Sequence, residues 1–264
     1  VVRLLQEQGE LLRRRCGRRI SVVAVSARER GLDRGIDLSG YEWHDDAAGL
    51  AAAGGVDVVV ELIGGEDGIA KAVVEAALTN GKDVVTANKA LIAHHGTALA
   101  EMAETAGLAL NFEAAVAGGI PIVKVLREGL SANRFSRIYG ILNGTCNYIL
   151  TQMQESGRDF AEVLAEAQEL GYAEADPAFD VDGIDAAHKL AILTSLAYGS
   201  LVDFDSIYIE GIRGVEAIDI AFAREFDYRI KLLAIARLTE AGIEQRVHPC
   251  MVPAATPIAG VDGV

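Results

Sequence analysis

Between positions 171 and 193 the sequence reads GYAEADPAFDVDGIDAAHKLAIL, which gathers Glu174, Asp176, Asp180, Asp182 and Asp185 ahead of Lys189. Asp185 and Lys189 are four residues apart, so a helix would set them on one face as an ion pair. A solvated acidic loop followed by a surface pair would have the same composition. Leu190, Ile192, Leu193 and Leu196 argue otherwise, because they make this helix strongly apolar and put the pair at a partly buried position. A lysine held there can exchange protons. The surrounding carboxylates would attract the ammonium of a small amino-acid substrate.

A second stretch, GILNGTCNYIL at 140–150, reads as a strand running through Asn143, Gly144 and Thr145 into a helix. The N-terminus of a helix can hold an anion such as a substrate carboxylate. Cys146 sits in the same turn, where a thiol pKa can fall. This leaves a rival chemistry open, an acylating aldehyde dehydrogenase in which Cys146 forms a thioester. A non-catalytic remnant that only binds an amino acid is a third reading. The segment TANKAL at 86–91 puts the amide of Asn88 and the ammonium of Lys89 at a strand end entering a helix. The helix dipole disfavours a cation there, which argues for a role of Lys89 toward cofactor or substrate. In FEAAVAGGIPIV at 112–123, Glu113 and the carbonyls of Val116, Gly118 and Ile120 are oxygen donors of the kind a monovalent cation takes. His94 and His95 are adjacent and would diverge on a helix. Neither HExxH nor GxSxG occurs, and Cys16, Cys146 and Cys250 form no CxxC pair. Neither a catalytic zinc nor a disulfide framework is indicated, and a reducing compartment, the cytoplasm, is the natural reading.

The elements that must position these groups follow from composition and periodicity. The 264 residues carry a formal charge of −14 and are 51% hydrophobic. That excludes disorder and leaves no basic face for nucleic acid. No apolar run is long enough to span a membrane. Residues 20–26, 57–63, 83–86 and 108–112 read as strands. Helical spacing covers 1–15, 68–80 and 91–106. This alternation implies βαβ units and a parallel, doubly wound α/β sheet over residues 1–130. Residues 131–264 read as an α+β domain, with a strand at 134–142 and helices at 145–156, 160–170, 184–198 and 215–226. Helix propensity competes over 228–252, but EAG followed by the alternating IEQRV reads as a hairpin. The stretch 121–130 continues a helix.

A doubly wound sheet binds dinucleotides at the carboxyl ends of its strands. Ser26 and Arg28, after ISVVAVS, would suit a 2′-phosphate, whereas an NAD-selective site would place Asp or Glu there. The opening VVRLLQEQG reads as the middle of a first helix, which puts a glycine-rich loop ahead of Val1.

Taken in order, TANKAL, EAAVAGGIPIV, GILNGTCNYIL and GYAEADPAFDVDGIDAAHKLAIL resemble homoserine dehydrogenases over nearly the whole chain. The resemblance implies reversible hydride transfer between L-homoserine and L-aspartate 4-semialdehyde with NADP(H) or NAD(H), in threonine and methionine biosynthesis. By position it implies that Lys189 is the acid/base, that Glu174 and Asp185 bind homoserine, and that Gly144, Thr145, Tyr172 and Asp180 line the substrate pocket. Lys89, with its neighbour Asn88, would serve the cofactor and the reaction centre, and Gly171 would contact the cofactor. Glu113, Val116, Gly118 and Ile120 match the family's sodium site. Homodimers or homotetramers are expected. The 264 residues correspond to the family's catalytic region, short of its glycine loop, its C-terminal end and the ACT domain that many members carry. Thr256-Pro257 stands where the family often has a second His-Pro.

Overall fold

A computed structural model describes residues 1–263. The chain divides into two compact units. Val1–Asn88 and Ala98–Asn111 form the first, and Lys89–Thr97 and Phe112–Val264 form the second.

The first unit contains α1 (Val2–Glu7), α2 (Gly9–Cys16), β1 (Ala24–Ser26), β2 (Glu42–His44), α3 (Ala47–Ala52), β3 (Val58–Glu61), α4 (Ile69–Thr79), β4 (Asp83–Thr86), the later turns of α5 (Lys89–Ala106) and β5 (Leu110–Asn111). β1 pairs in parallel with β2, and β3, β4 and β5 form a second parallel sheet. This is the α/β, Rossmann-like arrangement that the alternation predicts. α4 buries Ala70, Val73, Val74, Ala77 and Leu78, the i, i+3, i+4, i+7, i+8 stripe of a helix laid on a sheet.

The carboxyl ends of β3 and β4 are joined by a polar network. The buried Glu61 carboxylate accepts the backbone N–H of Ile63 at 2.6 Å and of Gly64 at 3.1 Å, and the Thr86 hydroxyl at 2.5 Å. Thr86 Oγ1 in turn accepts the Asn88 N–H at 2.9 Å, and Asn88 Nδ2 donates to the Gly65 carbonyl at 2.7 Å. Three donors satisfy a carboxylate that would otherwise be costly to bury.

The second unit contains α6 (Glu113–Val116), α7 (Ile122–Lys124), β6 (Arg137–Gly140), α8 (Gly144–Ser156), α9 (Phe160–Glu169), α10 (Ala178–Val181), α11 (Ile184–Tyr198), β7 (Tyr208–Ile209), α12 (Ala217–Glu225), β8 (Tyr228–Thr239) and β9 (Gly242–Pro253). The sheet order is β6-β8-β9-β7, antiparallel except for the parallel pair β7 and β9. α8, α11 and α12 pack on β8. The core runs through Cys146, Ile149, Leu150 and Met153 of α8 and Ala186, Ala187, Leu190 and Ala191 of α11.

The long hairpin is the reading that the turn favoured over helix propensity. Thr239 pairs with Gly242 across the two-residue turn Glu240-Ala241. The expected helix at 121–130 is instead one short turn, α7, followed by a π-helical turn at Val125–Gly129. The expected strand at 20–26 shortens to Ala24–Ser26.

Two glycines seat α11. Gly183 precedes it at φ 85°, and a Cβ there would lie 3.3 Å from both Ile209 and Val247. Gly211 lies on the backbone of 181–182: a Cβ would run into the Val181 carbonyl oxygen and sit 2.5 Å from Asp182 Cα. Neither neighbour can rotate away, because Val181 O accepts the Ile212 N–H at 2.8 Å.

His188, 2% exposed, sits on α11 among the rings of Phe204, His94 and Phe179, with centroids at 4.6, 5.2 and 5.4 Å. Its Nε2 lies 3.1 Å from His94 Nε2. Burial pushes its pKa down to about 4, and the neighbouring His94 and Lys89 add to this, against Asp185.

Two predictions follow from this packing. Gly211→Ala should lower the unfolding free energy by roughly 1–3 kcal/mol, the usual cost of overpacking, read by urea denaturation. A stability equal to wild type would contradict the contact. For His188, an unfolded imidazole takes a proton near pH 6.5 that the folded one refuses until about 4. Its contribution is therefore whole above 6.5 and is lost as the pH falls through 4. His188→Phe should show a shallower stability loss across that window, and an unchanged slope would refute the assignment.

Candidate active site

The site in the second unit is built where β6 runs into α8 and where α10 runs into α11. Asp185 lies in the first turn of α11 and is 4% exposed. A helix N-terminus favours a carboxylate at such a position. Its Oδ2 accepts Lys189 Nζ at 2.7 Å and Asn143 Nδ2 at 2.9 Å, while its Oδ1 pairs with Lys89 Nζ at 3.0 Å. Burial alone would raise the Asp185 pKa. The Lys189 charge and hydrogen bond, then the Asn143 hydrogen bond and Lys89, outweigh it and hold the carboxylate below its usual range.

Lys189 reaches back along α11 by one turn. Its Nζ also donates to the Leu142 carbonyl at 2.8 Å. An ammonium has three N–H groups, and these two bonds use two of them. No partner for the third occurs among the described residues, and the side chain is 18% exposed. Lys89 is somewhat more open and lies 5.3 Å from the centroid of the Phe179 ring, a cation–π distance.

Asn143 caps α8. Its Oδ1 accepts the Cys146 N–H at 2.8 Å, and its Nδ2 donates to Asp180 Oδ1 at 2.8 Å as well as to Asp185. Asp180 is half-buried. Desolvation raises its pKa, with Asp185 adding to the rise and Asn143, Lys89 and Lys189 opposing it. Two carboxylates are thus joined through one amide while their pKa values are pushed apart, a pattern that separates an acid form from a base form.

The other sequence-predicted residues fall around this centre. Gly144 and Thr145 open α8, and Thr145 Oγ1 donates to the Tyr172 carbonyl at 2.8 Å. The Tyr172 ring is exposed and lies 4.8 Å from that of Tyr148. Glu174 is exposed on the loop between α9 and α10, and its backbone carbonyl accepts Gln168 Nε2 at 2.9 Å. Gly171 ends the turn after α9 at φ 77°.

Cys146 departs from expectation. Its thiol is fully buried and donates to the Asp180 carbonyl at 3.2 Å. Desolvation and then the charges of Asp180, Asp185 and Asp182 push its pKa up rather than down. A buried neutral thiol among carboxylates is a poor nucleophile, so the geometry removes the support for a thioester route.

Glu113 caps the turn that begins α7, its two oxygens accepting Val123 N–H at 2.8 Å and Lys124 N–H at 2.9 Å. The Ile120 carbonyl accepts the Ile122 N–H at 2.8 Å, and Gly119 turns the chain at φ 85°. Val116 is buried at the end of α6. In the first unit, Ser26 ends β1 and Arg28 is exposed just beyond it, while Asn88 closes the strand-end network. Gly64 and Gly65, both at φ 87°, leave bare backbone at the carboxyl end of β3.

Two contributors escape a reading of the sequence for ionisable groups. Asn143 carries no charge, although Asn before a helix is a visible cap signal. Phe179 is an aromatic in an acidic loop, and nothing in the local pattern marks its place beneath Lys89.

Residues 1–113 match the family described as "Homoserine dehydrogenase, NAD binding domain", and residues 121–264 match "Homoserine dehydrogenase". The homoserine dehydrogenase of Pseudomonas aeruginosa is 51% identical over 99% of this chain and 59% of its own length. That of Neisseria gonorrhoeae is 50% identical over 99% of the chain and 60% of its own length. The chain therefore spans about 60% of the length of the curated relatives it matches. The crystal structure of a homoserine dehydrogenase from Thiobacillus denitrificans superposes with a TM-score of 0.95 at 48% identity, covering 99% of this chain and 60% of that one. A hyperthermophilic archaeal homoserine dehydrogenase in complex with NADPH gives a TM-score of 0.72 at 29% identity, covering 85% of this chain and 64% of that one. The matches along both units and the fold they share establish that the chain belongs to the homoserine dehydrogenase family, oxidoreductases with an NAD-binding domain.

Proposed function

We propose that the chain carries the reacting centre for the reversible conversion of L-homoserine and L-aspartate 4-semialdehyde. The observation that carries this reading is the third N–H of Lys189. Two of its protons are held by Asp185 and the Leu142 carbonyl, so the remaining one is aimed by the other two. Bound nicotinamide supplies the hydride in one direction and accepts it in the other. When the aldehyde carbon gains a hydride, Lys189 gives its proton to the developing alkoxide. In the oxidative direction the neutral amine takes the hydroxyl proton. Lys89, on the opposite oxygen of Asp185, places a second positive charge beside the oxygen that becomes negative.

Asp185 orients both amines. Glu174, together with the oxygen of Asp180 that Asn143 does not use, takes the substrate ammonium alongside Asp185. The N–H groups at Gly144 and Thr145 take the substrate carboxylate, and Tyr172 closes that side. For the cofactor, the bare backbone at Gly64 and Gly65 and the parallel strand ends fit a dinucleotide. The family resemblance assigns Asn88, Lys89 and Gly171 to the cofactor as well. The exposed Arg28 beside Ser26 favours the 2′-phosphate of NADP, the cofactor class of the archaeal relative solved with NADPH. Threonine and methionine biosynthesis, the cytoplasm and a homodimer or homotetramer complete the reading, and the family resemblance supports those points.

The family resemblance supports a sodium ion held by Glu113 with the carbonyls of Val116, Gly118 and Ile120. Each Glu113 oxygen accepts one backbone N–H and keeps a lone pair for a hard cation.

The assignment of the proton donor is tested by a pair of variants of the full-length protein. Lys189→Ala should lose about 10²–10⁴-fold in turnover with little change in cofactor affinity, while Cys146→Ser should keep turnover within about threefold, since a neutral thiol forms no bond to substrate. The reverse pattern would reinstate the thioester route. For the ion, replacing sodium with tetramethylammonium in the buffer should lower the thermal midpoint, and Glu113→Gln should abolish that difference. A midpoint indifferent to the cation would remove the site.

A further inference from the structure

Asn143 makes three hydrogen bonds through one amide, and their directions leave it a single orientation. Its Oδ1 accepts the Cys146 N–H at 2.8 Å, which ties the side chain to the first turn of α8. Its two N–H groups then go to different carboxylates, Asp180 Oδ1 at 2.8 Å and Asp185 Oδ2 at 2.9 Å. Rotating the amide by half a turn would aim Oδ1 at both carboxylates and point the NH₂ group at an N–H donor. All three bonds would be lost together, and the side chain is buried, so no water replaces them at low cost.

The oxygen that Asn143 reaches on Asp185 is the one that Lys189 uses. The direction of the Lys189 ammonium is therefore set by a carboxylate that is itself set by α8. Without the amide, Asp185 Oδ2 would have Lys189 as its one partner and the pair could swing as a unit. Asp180 would face Asp185 with no donor between them. We propose that Asn143 is a positioning residue of the reaction, a neutral bridge that fixes Asp185 against Lys189 and keeps Asp180 apart from it. This inference rests on the proposed role of Lys189 in proton transfer.

The charged and titratable groups that face this bridge are Asp180 of α10, Asp182, Asp185 and Lys189 on the α11 side, Lys89 of α5 and the Cys146 thiol of α8. Removing the amide donor takes away an interaction with the ionised form of Asp185, so that carboxylate titrates at higher pH. A further carboxylate in its place repels the ionised forms of Asp180 and Asp185, which raises the pH at which Asp185 takes up a proton. Either change moves the acid limb of homoserine oxidation to higher pH.

Two variants separate the cap from the bridge, because Ser and Asp both cap a helix but neither supplies an NH₂ group. In the full-length protein, with homoserine and NADP⁺ as probes, Asn143→Ser and Asn143→Asp should keep the wild-type helical circular dichroism and a cooperative unfolding transition, with the midpoint lowered by the loss of the buried hydrogen bonds and most in Asn143→Asp. Both should lose about 10–100-fold in kcat, as small misplacements of a reacting group do, with KM for NADP⁺ changed less than about threefold. The acid limb of kcat/KM should shift to higher pH, more in Asn143→Asp. Wild-type kcat and an unshifted limb in Asn143→Asp would overturn the bridge and leave only the cap. So would loss of circular dichroism in both variants. If the wild-type protein does not oxidise homoserine, or Lys189→Ala is fully active, the reading of Lys189 fails. If wild type and Lys189→Ala behave as expected and the Asn143 variants match wild type, the inference about Asn143 alone fails.

Discussion

One buried carboxylate sets the terms for the second unit. Asp185 is almost wholly removed from water, and a lone charge in that position would cost several kcal/mol. It is kept ionised by two ammonium groups and an amide that arrive from three separate parts of the chain: Lys89 at the start of α5, Asn143 ahead of α8, and Lys189 one turn along α11. Removing any one of them leaves the charge under-compensated, so the four residues stand or fall as a group. The start of α8 is therefore tied to the first turn of α11 through this cluster.

The backbone has been shaped to bring these segments together. Gly183 takes a left-handed turn that starts α11 with Asp185 in its first turn, and neighbours on β7 and β9 leave no room there for a side chain. Gly211 lets the segment after β7 lie against the backbone of 181–182, at the α10 end that carries Asp180. On the other side β6 ends at Gly140, and the next residues deliver a carbonyl, Leu142, to Lys189 and an amide, Asn143, to Asp185. Two consecutive residues of one loop therefore hold the two halves of the Asp185–Lys189 ion pair. Behind them α8 and α11 are buried along most of their length, through Ile149, Leu150 and Met153 of the one and Leu190, Ile192 and Leu193 of the other, so the loop has a packed support.

Part of this was legible in the sequence. The spacing of Asp185 and Lys189, on a helix with leucine and isoleucine on its other faces, identified both the pair and its partial burial. The EAG turn identified the hairpin of β8 and β9 against the helix propensity of KLLAIARL. Other parts depend on contacts that no local pattern encodes. Lys89 meets Asp185 across 96 positions of sequence, and Asn143 meets it across 42. β2 and β7 have three and two residues, too few to display an alternation. Cys146 shows the limit most directly. Its place at a helix start was visible, and that alone lowers a thiol pKa. Its burial beside three aspartates was not visible, and that raises it further than the helix can lower it.

The charges at the centre also suggest why two lysines share one carboxylate. Lys189 and Asp185 alone would be a neutral pair, in which the proton has little reason to leave the ammonium. Lys89 makes the group net positive, which in the proposed reaction lowers the cost of a negative oxygen forming beside it. The two amines hold opposite oxygens of the same carboxylate. The Lys189 ammonium is held in place by two hydrogen bonds, to Asp185 at 2.7 Å and to the Leu142 carbonyl at 2.8 Å. In the proposed reaction those two hydrogen bonds give the remaining N–H its direction. Asp180, raised by burial and joined through Asn143, limits the excess positive charge without competing for Lys189 itself.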